Sequence, residues 1–214
     1  MTMQVAIPLY PRMTALDAIG PYEVLQRVPA IDVVFVGERR GEIRTENGFL
    51  GLTVDATLDE VPTPDVVVVP GGIGSRDLLQ AGPYLDWIRS AHAGTRFTTS
   101  VCSGSLMLAA AGLLDGLTAT THWIAMEHLE KLGAVPVTQR VVEHLPERLI
   151  TAAGVSSGID MAIRLVALLV DDVAAQAAQV FIEYDPQPPF DAGHPSRVSP
   201  AVMERVHEHR RVRA

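Results

Sequence analysis

The stretch TSVCSGSLMLAAAG, residues 99–112, carries the chain's only cysteine, Cys102, where an apolar strand-like run passes into a helical run of small and apolar residues. A lone cysteine in such a setting is usually a small buried hydrophobe. Its position argues for chemistry instead: open α/β sheets bind ligands beyond the carboxyl ends of their strands, and Cys102 falls where TRFTTSV ends. The free amides and dipole of the following helix favour a thiolate there. Ser103, Gly104 and Ser105 are small enough for the sharp turn that exposes a nucleophile, by the geometric logic of the G-x-S-x-G elbow, although the motif itself differs.

Two more stretches bear on that thiol. VVVVPGGIGSRD, residues 66–77, ends a second strand in Gly71, Gly72 and Gly74 without the G-K-[ST] or G-x-G-x-x-G order of a nucleotide loop. It reads either as a plain tight turn or as a set of amides, at Gly71, Gly72 and Ile73, that joins the Ser103 amide in stabilising negative charge on a bound substrate. MTALDAIGPYEVLQ, residues 13–26, offers Asp17 and Glu23, six apart and so not stacked on one helix face. Asp17 either caps its helix or reaches the thiol, with Glu23 as second choice. A carboxyl beside a thiolate is expected to be protonated and to hold that proton for delivery. The imidazole base of an ordinary cysteine hydrolase has one candidate, His122 in ATTHW, which is equally compatible with a packed core histidine. One cysteine and scattered histidines give no metal-ligand spacing, and neither metal nor organic cofactor is expected.

These residues need a sheet to converge on. Gln4 to Pro8, Ile31 to Gly37, Val66 to Pro70 and Arg96 to Val101 read as strands, and the VVVV run is one covered on both faces. Leu16 to Val28, Tyr84 to Ala93 and Ser103 to Ala111 read as the intervening helices of a doubly wound, centrally parallel α/β fold. EIRTENGFLGLTV, residues 42–54, carries Asn47-Gly48 between alternating segments and reads as a hairpin. Short strands are expected at 135–138, 141–143 and 149–152, then helices at 159–169 and 173–184. The proline-rich DPQPPFDAGHP, from residue 185, can neither continue a helix nor enter a central strand, so it reads as an extended wrapping segment. Ser199-Pro200 opens a short basic C-terminal helix.

The chain has 214 residues, 48% of them apolar, and a formal net charge of −8, which favours one large α/β unit and argues against a nucleic-acid partner. No apolar run approaches the roughly 20 residues of a bilayer span, and the N-terminus lacks a signal-sequence pattern. A single cysteine suits a reducing compartment, so a cytoplasmic location is expected.

Taken together, LDAIGPYEVL, VVVPGG, TSVCSGSLMLAAAGLLDG, ATTHW and TAAGVSSGIDMAIRLV resemble the ThiJ/PfpI branch of the class I glutamine amidotransferase-like superfamily over nearly the whole chain. Within that branch, EYDPQPPFDAGHP is similar to the C-terminal segment of the isonitrile hydratase group. The resemblance implies a flavodoxin-like three-layer sandwich over residues 1–184 with a nucleophile elbow. Residues 185–214 would pack on the same domain or on a dimer partner. It further implies a homodimer, Cys102 as nucleophile, Asp17 as its paired carboxyl residue, and hydration of an isonitrile to a formamide through a cysteine thioimidate. Ser103 departs from the pattern: protease-like relatives carry histidine after the cysteine, and the hydratase group commonly carries threonine. Peptide hydrolysis is therefore disfavoured. DNA-binding relatives add a helix-turn-helix module where only the tail and short helix follow here. The competing readings are a glyoxalase-like or deglycase-like hydratase of reactive carbonyls and a redox-sensing module in which Cys102 is oxidised.

Overall fold

In the computed structural model, which describes residues 2–213 and side chains up to residue 209, the chain separates into two compact units, 1–182 and 183–214. In the first, strand β1 (Met3–Pro8) is followed by helix α1 (Ala15–Leu25) and β2 (Ile31–Gly37). The hairpin β3 (Gly41–Arg44) and β4 (Gly51–Val54) precedes a two-residue edge strand β5 (Ala56–Thr57). Then come β6 (Val66–Val69), α2 (Pro83–Gly94), β7 (Phe97–Val101) and α3 (Gly104–Ala110). A small parallel pair, β8 (Thr118–Ala119) and β9 (Val135–Pro136), encloses α4 (Met126–Lys131). The unit closes with β10 (Val141–His144), β11 (Leu149–Ala152), α5 (Ser157–Leu169) and α6 (Asp172–Phe181).

The main sheet has the order β10-β11-β7-β6-β1-β2-β5, parallel throughout except at β10, which runs antiparallel to β11. From β1 the chain moves outward to β2 on one side, then returns to place β6 and β7 on the other. The order therefore reverses between β1 and β6, which is where a doubly wound sheet opens a crevice at its carboxyl edge. Every residue of β6 is buried, as its unbroken valine run requires. Helices α1, α5 and α6 pack together, and α2, α3 and α4 form a second group. This three-layer α/β sandwich agrees with the flavodoxin-like expectation. On the first face α1 meets α5 closely because Gly20 leaves room for Ile159 and Gly158 leaves room for Pro21.

Several boundaries differ from those read in the sequence. Helix α1 stops at Leu25, with tighter turns carrying Arg27 and Val28. Helix α6 stops at Phe181, not Tyr184, because Glu183 takes a left-handed backbone that no helix continues through. The hairpin is present, but its strands end at Arg44 and Gly51, so Asn47-Gly48 sits inside a six-residue loop. In the second unit, α7 (Pro200–Arg213) begins at the expected proline yet runs for 14 residues, where a short helix was expected. Residue 214, the last of the basic cluster, lies outside the described residues.

The ends of β6 and β7 approach so closely that side chains are excluded. A Cβ on Gly104 would lie 2.2 Å from the carbonyl oxygen of Val69, and one on Gly71 would lie 2.5 Å from the Ser103 nitrogen. Both collisions are with backbone, which cannot move aside cheaply. Gly104→Ala is expected to cost roughly 2–3 kcal/mol in urea unfolding. Gly94→Ala, where a Cβ meets nothing within 4 Å, should stay within roughly 0.5 kcal/mol of wild type. Equal effects of the two would contradict the close-approach argument.

Candidate active site

Three strand ends and one helix build the site. At the end of β7, Cys102 takes a φ of 56°, the left-handed region that a side chain enters only when its surroundings hold it there. Those holds are explicit. The Cys102 N–H donates to the carbonyls of Ala152 and Ala153 at 3.0 and 3.1 Å, and its own carbonyl accepts from the Thr121 and Ser105 hydroxyls at 2.9 and 3.1 Å. The sulfur is thereby fixed at the sheet's carboxyl edge as the sequence suggested, but the residue is buried, only 5% exposed.

Asp17, fully buried on the first turn of α1, faces that sulfur. Its Oδ2 accepts from the Gly71 N–H at 2.9 Å, while Oδ1 has no nitrogen or oxygen partner. Burial is the main reason its pKa rises from 3.8 to about 7; the Gly71 N–H and the Cys102 thiol oppose that rise, and the Glu46 carboxylate adds to it. A proton placed on Oδ1 removes the orphaned buried acceptor. The Cys102 thiol is in turn pushed well above its ordinary value by burial and by the Asp17 carboxylate, and pulled back by the backbone N–H groups of Val155 and Ser103. Helix amides alone therefore do not make the thiolate, contrary to the simplest sequence reading. Moving the proton from sulfur to Asp17 removes the like-charge repulsion and leaves the thiolate two N–H donors, so the pair behaves as one unit sharing one proton.

Around this pair the structure redistributes the other expected roles. Gly71 and Gly72 do not offer free amides to a substrate. The N–H of Gly71 holds Asp17, and that of Gly72 donates to the Ser103 hydroxyl at 2.9 Å. That hydroxyl also reaches the Gly72 carbonyl at 3.1 Å and the Ser75 hydroxyl at 3.1 Å, so Ser103 Oγ clamps the β6 turn to the β7 turn and is not directed at the reacting sulfur. Ile73, half-buried, opens the 3-10 turn 73–78 that follows. The Glu23 carboxylate is engaged by Arg27 and Gln26 of its own helix turn, each at 2.9 Å, which leaves Asp17 as the carboxyl facing the thiol. His122 caps the turn 123–125 by accepting from the Ile124 N–H at 3.3 Å, and its ring lies against Gly154, where a Cβ would come within 2.6 Å of it. It buttresses the Gly154-Val155 turn, and the residue presented to the thiol as a proton carrier is Asp17.

Sequence reasoning missed the third strand end. Val155, just after β11, has a φ of 33°, an outlier for a β-branched residue, and directs its N–H to the sulfur. The signal was available in AAGVSSG, a small-residue turn between a strand and a helix like the one at Cys102. Tyr10 was also missed. It is fully buried at the end of β1, donates to the Pro70 carbonyl at 2.6 Å, and is held protonated by burial and by the neighbouring Asp17 and Cys102 charges. Among the described residues no group of three or more His, Cys, Asp or Glu side chains could hold a metal ion.

A buried thiol on a left-handed turn at the carboxyl edge of a mainly parallel sheet, one strand from its switch point and paired with a carboxyl residue, defines a class of α/β proteins with a strand-end cysteine site. The chain belongs to the DJ-1/PfpI family, whose sequence profile matches residues 3–168. It is 42% identical over 204 residues to a protein of Pseudomonas putida named isonitrile hydratase, covering 95% of this chain and 88% of that one. A ThiJ/PfpI family protein from Pseudomonas syringae superposes with a TM-score of 0.88 at 36% identity, covering 97% of this chain and 87% of the other. Drosophila melanogaster DJ-1beta shares the fold, with a TM-score of 0.77 at 23% identity over 86% of this chain and 98% of its own.

The raised Asp17 pKa makes a signed prediction about stability. The folded state binds the Asp17 proton more tightly than the unfolded chain does. Its contribution is therefore fully present below pH 3.8 and is lost as pH rises to about 7. Asp17→Asn removes this dependence. Relative to wild type, the variant should gain up to about 4 kcal/mol between pH 4 and pH 7.5, read from parallel urea titrations. A constant difference between the two proteins across that range would contradict the assignment.

Proposed function

We propose that this protein hydrates an isonitrile, R–N≡C, to the N-substituted formamide, with Cys102 as nucleophile and Asp17 as proton carrier. The observation that carries the reading is the buried thiol–carboxyl pair in a chain 42% identical to an isonitrile hydratase. Isonitrile carbon is soft and electrophilic, which suits a thiolate better than an oxygen nucleophile. With the shared proton on Asp17, the Cys102 thiolate adds to the terminal carbon. Asp17 then protonates that carbon, giving the thioimidate Cys–S–CH=N–R. Water adds to the CH carbon, with the Asp17 carboxylate accepting one of its protons and nitrogen receiving a proton. The tetrahedral adduct expels sulfur, leaving R–NH–CHO and regenerating the protonated pair. No step draws on an added oxidant, metal or organic cofactor.

Charge at sulfur is balanced in this scheme by the N–H groups of Ser103 and Val155, in place of the glycine amides expected from sequence. Tyr10 and the Ser103–Ser75 clamp hold the β1, β6 and β7 ends in register. The reading includes a homodimer in the cytoplasm. Among the described residues, no helix is long and apolar enough to cross a membrane.

Formamide production from one aryl and one alkyl isonitrile, followed by chromatography, tests the proposal. Cys102→Ala should lower turnover by at least about a thousandfold, and Asp17→Asn by about a hundredfold. Undiminished turnover in Cys102→Ala would eliminate the mechanism. Folded wild type that makes no formamide but converts methylglyoxal to lactate would move the assignment to carbonyl substrates.

A further inference from the structure

The hairpin loop between β3 and β4 is not a free excursion. It is pinned to the segment that leads into α1. Arg12 N–H donates to the Arg44 carbonyl at 2.9 Å, Glu46 N–H donates to the Met13 carbonyl at 3.0 Å, and the Thr14 hydroxyl donates to a Glu46 carboxylate oxygen at 3.0 Å. Thr14 is the N-cap residue of α1, yet its side chain makes no cap hydrogen bond, having been diverted to Glu46. A threonine at this position ordinarily caps its own helix, worth roughly 1 kcal/mol. Here that hydroxyl instead fastens an exposed carboxylate from another element above the helix turn that carries buried Asp17.

Among the described residues, the arginines that flank this loop are engaged elsewhere, Arg12 with Asp77 and Arg44 with Glu42, and no cation is among the groups that shift Asp17. The acidic groups acting there are Cys102 from the β7 turn, Tyr10 from the end of β1 and Glu46 from the hairpin. Among the described residues, the elements packed on α1 supply no compensating cation, and β2 carries only the acidic Asp32. Helix α5 meets it through Ile159 and Gly158, while its Asp160 and Arg164 are bonded to Arg140 and Glu143. Strand β6 brings only valines. Helix α6 places Phe181 beside Arg27, which is itself paired with Glu23.

We propose that Glu46 is a positioning residue for the thiol–carboxyl pair: held over α1 by Thr14 and Met13, its negative charge keeps the shared proton on Asp17 and thereby leaves Cys102 as the thiolate. The loop that carries it reads in sequence only as a hairpin turn. The proposal deepens the hydratase reading by explaining how the nucleophile is charged before substrate arrives, but the thiolate itself can be measured without any isonitrile.

Because the chain has one cysteine, the difference in absorbance near 240 nm between each protein and its counterpart carrying Cys102→Ser reports the Cys102 thiolate free of the tyrosine background. Wild type, Glu46→Gln, Glu46→Asp and Thr14→Val would be compared from pH 5 to pH 9, with thermal melts to confirm folding. Glu46→Gln should lower the thiolate-to-thiol ratio at neutral pH roughly three- to tenfold and shift the onset of titration to lower pH. Glu46→Asp should restore part of the signal. Thr14→Val, which keeps the charge but releases it toward water, should fall in between. Superimposable thiolate profiles for Glu46→Gln and wild type would overturn the proposal. Loss of signal with no recovery in Glu46→Asp would overturn the charge argument in favour of a merely structural role for the loop. Formamide assays on the same samples separate the two readings. An unreactive wild type with a Glu46-dependent thiolate defeats the hydratase reading alone, and an active enzyme indifferent to Glu46 defeats this one alone.

Discussion

One proton held between two buried acids is the constraint around which the site is arranged. Neither Asp17 nor Cys102 can be charged at low cost in the interior, and both charged at once would repel across a short gap. The pair can nonetheless carry a single negative charge, because the donors differ on its two sides. The Gly71 N–H serves Asp17, and the Val155 and Ser103 N–H groups serve sulfur. Backbone amides do this work without adding a competing base, so acid and nucleophile are the same couple in two proton states. An imidazole partner would have tied the thiolate to a cation instead.

Such donors can be aimed only if three strand ends and a helix terminus meet within van der Waals distance. This demand accounts for the glycines better than phosphate binding does. Gly71 and Gly104 allow the β6 and β7 turns to touch, and Gly72, with a φ of 126°, lets the chain pass against Met13 and Thr14. The price appears as local backbone strain at Cys102 and Val155, both held in the left-handed region by hydrogen bonds and packing from elements distant in sequence. Of the five non-glycine residues with positive φ among the described residues, Cys102 and Val155 are the two at the thiol, where strain suits a preorganised site.

The sheet and the first half of the site were legible in the sequence because each rests on local pattern. A short valine run bounded by proline and glycines reads as a strand covered on both faces, and a cysteine at a strand-to-helix turn in a parallel sheet lies at its carboxyl edge. What could not be read was which donor serves which acceptor. The Gly72 amide looked available for a substrate until the Ser103 hydroxyl was found on it, and His122 looked like a base until its ring was found against Gly154. Val155 escaped because AAGVSSG marks a turn after a strand but not the direction of its N–H groups. Glu46 escaped because its neighbour Asp17 lies 29 positions away on another element, reached only through tertiary docking of the hairpin.

The central claim is that isonitrile carbon becomes bonded to Cys102 and is released by water with help from Asp17. Intact-protein mass spectrometry of the wild type, quenched at intervals after rapid mixing with excess aryl isonitrile, tests it most directly, since Asp17 supplies the proton that forms the intermediate and must be present for it to be reached. The account predicts a gain of one isonitrile mass, mapped by digestion to Cys102 and lost as formamide forms. Formamide released in steady turnover with Cys102 unmodified at every time point, or an adduct mapped to another residue, would contradict it.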